Sequence, residues 1–443
     1  MTSHAYRNKV SRLGQQRQSG EGQLRLQKKS VSNIFRYDSR STSSRRVRLD
    51  EFNEVIRLDP VDRSIEVEGL ATYETVVRYC LDRGFLPLVS PELKNITVGG
   101  AIVGIGIEST GFRYGFVHDG LIEADVFLPY GGVVTARADN EYADLLRGLP
   151  NSYGTLGYIL RAQMKLQPAK PYVRVQVQEF GEPGEYLEAM KETAGQPDVD
   201  FLEGQFFEDG RFLLSIGTMV ESVPRVDDIV RTNVYFRLVE KADVIYLSTF
   251  DYIFRFDYDW FWNVPEGGFF DLFRKYAPRR MRGSRFYTKY AALMSKLPGE
   301  RNPDSEPLIQ DWEVPWENAE KIVRFALENV DLGGRPWAAV PIRSPGGATL
   351  YPVQPDALYF NLGSYCQVRR PPGMAPYHWT KIMDQCCYDL GGIKMLYSSI
   401  FVDRQKFDEL YNGEAYRKLT AKYNPVGDAS YLYEKVAYRP QTE

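Results

Sequence analysis

The sequence predicts an α+β protein of two domains, and three observations carry the prediction. Its 443 residues suffice for two or three domains of ordinary size. Short β-branched runs are interspersed with helical stretches, and no repeat recurs at a fixed period. Pro168 and Pro171 then mark a boundary, beyond which alternating runs and helices read as an antiparallel sheet covered by helices.

Taken in order, residues 1–45 are polar, basic and rich in Ser, Gln and Arg, and read as a flexible arm that settles near Ser30. Positions 1–48 hold twelve Lys/Arg against two acids, Glu21 and Asp38, whereas the whole chain has a net charge of −3. From Val47, the runs VIRLDP, SIEVEGL and PLVS read as strands, with a helix over 73–83 that ends at Gly84. ADVFLPY and VVTARA make a hairpin about Gly131-Gly132, and YILRAQMKLQP brings the first domain, 46–172, to its end. In the second domain, 173–400, VRVQVQEF is followed by FLEGQFF and FLLSIGTMV, joined around Asp209-Gly210. Helices over 319–329 and 379–390 alternate with the strands WAAVPIR, ALYFNLGSY and IKMLYSSIFV, and 401–443 reads as a helical segment.

Apolar residues at 43% and charged residues at 26% exclude wholesale disorder and a polytopic membrane protein. The near-zero balance gives no reason to expect nucleic acid as a partner. Cys80, Cys366, Cys386 and Cys387 make neither a disulfide framework nor a zinc spacing, so a reducing cytoplasm is expected, and the adjacent pair reads as helix packing. The longest apolar run, Ile96 to Ile107, has twelve residues, short of the roughly 18 a spanning helix needs. The N-terminus lacks the apolar core of a secretory signal. Any membrane contact is therefore expected to be peripheral, at the inner face.

The segment PELKNITVGGAIVGIGIESTGFRYG, 91–115, has five glycines between positions 99 and 111. Backbone without side chains can approach a flat ring or a pyrophosphate and leave N–H groups free for it, although a buried strand with packing glycines accounts for the same pattern. The Gly104-x-Gly106 pair is no dinucleotide fingerprint, because position 109 is Ser and no acid follows at the required distance. A second segment, NSYGTLG at 151–157, presents hydroxyls and amides at a strand entrance, as cofactor-binding loops do.

With PEL-x3-TVGG, G-x-E-S at 106–109, Tyr114-Gly115, and Asp119 with Glu123 in order, residues 50–172 resemble the FAD-binding domain of the vanillyl-alcohol-oxidase (PCMH) type. LPLVSPELKNITVGGAIVGIGIEST, NSYGTLGYILRAQMKLQPAKPYV, IQDWEVP, ALYFNLGSY and IKMLYSSIFVDRQKFDELYNG extend the resemblance to the Δ24-sterol-reductase branch over most of 24–435. Within that branch the chain is similar to bacterial flavoproteins that work beside a fatty-acyl methyltransferase and reduce a methylene-branched acyl chain. Related ones are associated with desaturation in furan fatty acid synthesis. The resemblance implies an α+β fold, with a two-subdomain PCMH-type FAD-binding domain and an antiparallel-sheet substrate (cap) domain bearing helices. It also implies redox chemistry at a lipid carbon–carbon bond.

By motif, the resemblance places Thr97, Gly99, Gly100, Gly104, Gly106, Glu108 and Ser109 along the flavin and pyrophosphate, with Pro91, Gly115 and Asp119 as further cofactor-binding residues. Gly154, Thr155 and Gly157 line the other side, and Lys394 is in reach of the flavin. The family's Gly-rich phosphate loop with its attached His is replaced by KKSVSNIFR and SRSTSSRR, and His4, His118 and His378 do not match the attachment position. Non-covalent FAD is expected, with pyrophosphate contacts partly from Ser32 and Asn33. NADPH is the expected transient reductant.

Residues 244–262 hold nine aromatics in nineteen positions, interrupted by Asp251, Arg255, Asp257 and Asp259. They read either as core or as the wall of a long apolar pocket with ionic groups at its mouth, since those charges cannot be buried unpaired. Arg274, Lys275, Arg279, Arg280, Arg282, Arg285 and Lys289, interleaved with aromatics, read as a solvated face or as an anionic-membrane contact. The flavin performs the hydride step, so the protein must orient the substrate and handle a proton. The candidates are Tyr397, then Gln310 and Asp311, and Tyr365, although a Tyr at a strand end is more often a plain packing residue. The expected function is NADPH-dependent reduction of a methylene-branched phospholipid acyl chain. Desaturation of a methylated chain, sterol Δ24 reduction, polyol or sugar oxidation, and a non-catalytic flavin-binding partner of a methyltransferase are the alternatives.

Overall fold

In a computed structural model the chain is described over residues 4–16, 23–27, 44–258 and 305–438, apart from breaks at 131, 231–233 and 428, with scattered positions between 272 and 286. Near the N-terminus, β1 (Gln23–Gln27) pairs in parallel with β2 (Ser44–Arg48). The sheet of the first domain runs β3 (Val55–Asp59), β4 (Ser64–Glu68), β8 (Tyr158–Pro168), β6 (Leu121–Phe127), β7 (Val133–Arg137), and β5 (Phe85–Pro87) also pairs with β8. The β6–β7 hairpin turns on Gly132 at φ +92°. Arg161 of β8 ties the sheet together through Asp125 at 2.9 Å, Glu123 at 2.5 Å and Glu66 at 3.4 Å.

The first residues are not a loose arm. Helix α1 (His4–Gln16) buries Tyr6 and Leu13 against Phe52 and Phe127, because Tyr6, Val10 and Leu13 fall on one face. Tyr6 donates to Asp125 at 2.8 Å, Lys9 pairs with Glu68 at 2.8 Å and Glu54 at 3.0 Å, and Arg12 pairs with Glu51. The helix basic residues thus answer acids of the first domain. Leu13→Ala is expected to lower stability by about 2 kcal/mol, read from a urea denaturation midpoint. No change would mean that the helix does not hold there.

Helix α2 (Tyr73–Leu81) starts at a Thr72 cap and is followed by Gly84 at φ +75°. The Gly-rich run is helix α3 (Val98–Val103), not strand. Thr97 caps it, accepting the Gly100 N–H at 3.3 Å, and a Cβ at Gly99 would lie 3.0 Å from the Gly69 carbonyl, so glycine lets this helix settle on the sheet. Short helices α4 (Gly111–Tyr114) and α5 (Ala143–Gly148) complete the domain.

The second domain is one eight-stranded sheet, in the order β12 (Val244–Ser248), β9 (Tyr172–Phe180), β11 (Phe212–Val220), β10 (Phe201–Phe206), β14 (Trp337–Arg343), β15 (Leu358–Arg369), β13 (Ser305–Pro315), β16 (Ile393–Lys394). All its pairings are antiparallel. Alternation sorts its side chains. Leu202, Leu214, Trp312 and Trp337 join the core under helices α6 (Pro183–Ala194), α9 (Ala319–Asn329) and α10 (His378–Asp389), whereas Phe201 and Leu213 join the first domain's core. Between strands lie α7 (Tyr235–Val239) and α8 (Thr249–Ile253). Of the expected strand IKMLYSSIFV, Ile393–Lys394 alone pairs in the sheet, because β13 holds the next residues as a turn. Helices α11 (Arg404–Leu410), α12 (Gly413–Tyr423) and α13 (Leu432–Val436) return to the first domain, burying Tyr416, Leu419 and Leu432 in its core.

Candidate active site

Two segments of the first domain meet at the end of α3. Gly99, Val103, Gly104 and Ile107 keep partial exposure and Gly100 is exposed, leaving one side of that turn nearly bare. The loop 151–157 lies against it, with the Tyr153 N–H on the Val103 carbonyl and its hydroxyl on the Gly104 carbonyl, each at 3.3 Å. Asn151, Tyr153 and Gly154 take positive φ (63°, 50°, 77°), a local strain that Lys435 of α13 helps hold by bonding the Tyr153 carbonyl at 2.6 Å. Asn151 Oδ1 and Ser152 Oγ are buried with no protein partner among the described residues. A bare helix side beside two unanswered oxygens fits a flat cofactor with polar edges, and FAD meets that description.

Along the seam between the domains sits a group of buried carboxyls around Arg255, which follows α8. Arg255 donates to both oxygens of Glu203 on β10, to Glu92 at 3.1 Å, to the Tyr252 carbonyl at 3.0 Å and weakly to Ser109 Oγ at 3.5 Å. Tyr235 donates to Glu203 at 2.8 Å. Glu108 precedes Ser109 and lines the same small cavity as Arg255. Burial, then each other's proximity, drives the Glu108 carboxyl far above the ordinary range, and burial raises Glu92 against the pull of Arg255.

The sheet contributes the third element. Tyr365 of β15 and Tyr397 both donate to Asp311 Oδ2, at 2.6 and 2.8 Å. Register makes this possible: Gly363 stands opposite Asp311, and a Cβ there would lie 2.7 Å from Asp311 Oδ1 and 3.0 Å from the Tyr365 ring. Burial pushes the Asp311 carboxyl up to about 6, held down by the two phenols. Burial and then that carboxylate raise Tyr397 and Tyr365 well above an ordinary phenol. Glu92 lies within electrostatic reach of both Asp311 and Tyr365, so the two clusters adjoin.

Residues 32–137 match the family model described as an FAD binding domain. Over 430 residues the chain is 23% identical to the Delta(24)-sterol reductase homologue of Caenorhabditis elegans, covering 91% of this chain and 81% of the relative. Human Delta(24)-sterol reductase is 25% identical over 416 residues, 86% of this chain and 76% of that one. Cytokinin dehydrogenase 6 of rice is 31% identical over 147 residues, 32% of this chain and 27% of the relative. The chain is an FAD-dependent oxidoreductase. Its two-domain α+β architecture is the PCMH-type fold.

Within this flavoenzyme the structure sorts the residues singled out by sequence. Gly99, Gly100, Gly104, Thr97 and the loop with Gly154, Thr155 and Gly157 come together, although the Thr155 hydroxyl is engaged by the Ser152 carbonyl at 2.8 Å. Gly106 is there for packing, since a Cβ would meet Val117 at 2.6 Å. Gly115 at φ +70° and Asp119, which accepts the Phe116 N–H at 2.8 Å, build a turn. Pro91 leads into Glu92, and the Ser109 carbonyl accepts Leu202 N–H across the seam at 2.7 Å. Ser32 and Asn33 lie outside the described residues.

Three expectations change. Lys394 stands opposite Trp312, on the other face of β13 from Asp311, with its ammonium held by Asp384 at 2.7 Å and the Ser399 carbonyl at 3.1 Å, so it is a buried sheet-to-helix tie. Gln310 also faces away from Asp311; it bonds the Met395 carbonyl at 3.0 Å and accepts from Ser398, which fixes the turn carrying Tyr397. Arg255 and Asp257 are buried at 1% exposure and paired, as the core reading of that aromatic run expects and the pocket-mouth reading does not. Asp257 holds Lys94 N–H at 3.0 Å and Ser284 Oγ at 2.6 Å. Arg282, placed by sequence in the basic patch, is buried and bonded to the Val230 carbonyl at 3.1 Å; Arg274, Arg279, Arg280, Arg285 and Lys289 of that patch, like Asp259, lie outside the described residues. Sequence reasoning missed Glu92 and Glu203. The available signal was Arg255 inside an aromatic run, which demanded a buried acid without saying which.

Proposed function

We propose that the enzyme reduces a carbon–carbon double bond in a lipid, with NADPH as donor and the methylene-branched acyl chain of a phospholipid as substrate. The observation that carries the reading is similarity over about nine-tenths of the chain to proteins named as sterol double-bond reductases. When bound, FAD supplies hydride transfer. The protein's part is to hold the substrate beside the bare turn of α3, to exclude water with the buried seam, and to manage one proton through the carboxyls and phenols there. Sterol Δ24 reduction is the second reading, favoured by the names of those relatives; the likeness of the quoted segments to bacterial acyl-chain flavoproteins supports the first.

Exposed Leu272 and Tyr276, with exposed Lys275 between them, support contact with an anionic bilayer, where an acyl methyltransferase would also act. Four free thiols suit a cytoplasmic setting, and no helix among the described residues is long and apolar enough to cross a membrane. The test is anaerobic stopped-flow absorbance. NADPH is expected to bleach the bound flavin, and vesicles with methylene-branched phospholipid to restore it, faster with anionic than with neutral vesicles. Restoration by a Δ24-unsaturated sterol instead would establish the second reading, and no restoration by either would end both.

A further inference from the structure

The carboxyls around Arg255 outnumber the charge that can neutralise them. Glu203 already meets the guanidinium through both oxygens and accepts Tyr235 as well. Glu92 takes a remaining donor at 3.1 Å, and the buried Glu108, next to the Ser109 that the same nitrogen reaches at 3.5 Å, lines a small cavity with Arg255. Three buried carboxyls about one guanidinium leave negative charge unanswered, which is relieved when one of them holds a proton. Within electrostatic reach of the pair are Arg255 and Tyr252, Glu203 on β10, Asp311 on β13, Tyr365 on β15 and Tyr73 on α2. Arg255 is the cation of that set. Within the cluster Glu92 has the most exposed side chain, 15% against 5% for Glu203 and 1% for Arg255, so it is the member a substrate can reach.

We propose that the Glu92–Glu108 pair is the proton-donating group of the double-bond reduction, with Glu92 presenting the proton and Glu108 sharing it. The proposal rests on the reductase reading above. In the balanced step, one alkene carbon gains a C–H bond from hydride drawn, through the flavin, from the nicotinamide donor. The carboxyl O–H bond breaks, its proton forms the C–H bond at the other carbon, and the charge left on the pair is stabilised by Arg255. A solvent proton then restores the pair.

Tyr397 is the weaker acid for this step. Its proton already faces the Asp311 carboxylate, and losing it would set a phenolate against that charge. Tyr365 is in the same position, so both phenols orient rather than donate. A cavity of about 10 Å³ is lined by Glu108, Ser90, Thr110 and Arg255, with Ser90 Oγ and Thr110 Oγ1 lacking partners among the described residues. Room for about one water there gives the pair a way to be recharged. A loaded pair also suits reduction over desaturation, which would need an empty base.

Two measurements on the holoenzyme test this. Infrared difference spectroscopy at neutral pH should show a protonated carboxyl stretch that shifts in D2O and disappears in both Glu108→Gln and Glu92→Gln. In the stopped-flow assay, E92Q should slow reoxidation by the lipid about 100-fold more than it slows flavin reduction by NADPH. Absence of the carboxyl band in the wild type overturns the proposal, and so does equal slowing of the two half-reactions. Failure of the wild type to be reoxidised by any alkene lipid overturns the reductase reading itself, and is recognisable because it appears without mutation.

Discussion

Arg255→Met is expected to lower stability by about 3–5 kcal/mol, among the largest effects of any single substitution in this chain. The guanidinium is 1% exposed and holds Glu203, Glu92 and the Tyr252 carbonyl together. Methionine fills much of the volume but removes every donor, leaving Glu203 with Tyr235 as its hydrogen-bond partner among the described residues. A buried carboxylate without its cation must either remain charged at high cost or take up a proton. Lysine does not rescue, because a single ammonium cannot reproduce the fork on both Glu203 oxygens. The double variant R255M/E203L, which removes charge and counter-charge together, should recover much of the loss. Urea denaturation followed by fluorescence measures all three. A loss under about 1 kcal/mol for R255M, or no recovery in the double variant, would show that the ion pair does not organise the seam.

That cluster also shows which parts of the molecule the sequence could disclose. Local chemistry was readable: the Asp209-Gly210 turn has Gly210 at φ +85°, and the helix expected over 319–329 is α9. Where tertiary contacts decide, local pattern misled. The composition of residues 1–45 concealed the stripe Tyr6, Val10 and Leu13, so a docked helix read as a loose arm. The apolar run after Thr97 had the residues of a buried strand, yet the Thr97 cap and the close approach of Gly99 to Gly69 make it a helix. IKMLYSSIFV had strand propensity, but Gln310 and the Asp311 carbonyl bind Met395 and bend it away. For the site, Tyr365, Tyr397 and Asp311 were nameable one by one, while their convergence on one oxygen depends on a register that only the folded sheet sets. Glu92 and Glu108 share one glycine-rich segment, but Glu203 and Arg255 come from two distant stretches of chain, so no spacing rule could unite the four.

The other large effect is expected on turnover, in Asp311→Asn. The carboxyl accepts Tyr365 and Tyr397 together and is pushed up to about 6, so it is ionised at neutral pH and becomes protonated as the medium is acidified through that value. Once neutral it is a poorer acceptor, and the two phenols lose the charge that orients them. Wild-type turnover should therefore fall with acidification through about pH 6, whereas D311N should be about 100-fold slower and flat across that range. Gly363→Ala should give a similar loss through geometry, since its Cβ would crowd Asp311 Oδ1. Stability should move the other way. A carboxyl whose value is raised in the folded state binds its proton more tightly there, so it contributes stability below its unfolded value that is lost as pH rises through about 6. At neutral pH the wild type bears the cost of that buried charge, and D311N should be more stable by roughly 2 kcal/mol. Lower activity with higher stability marks a group kept for chemistry, whereas a merely structural Asp311 would lose stability and leave the acid limb in place.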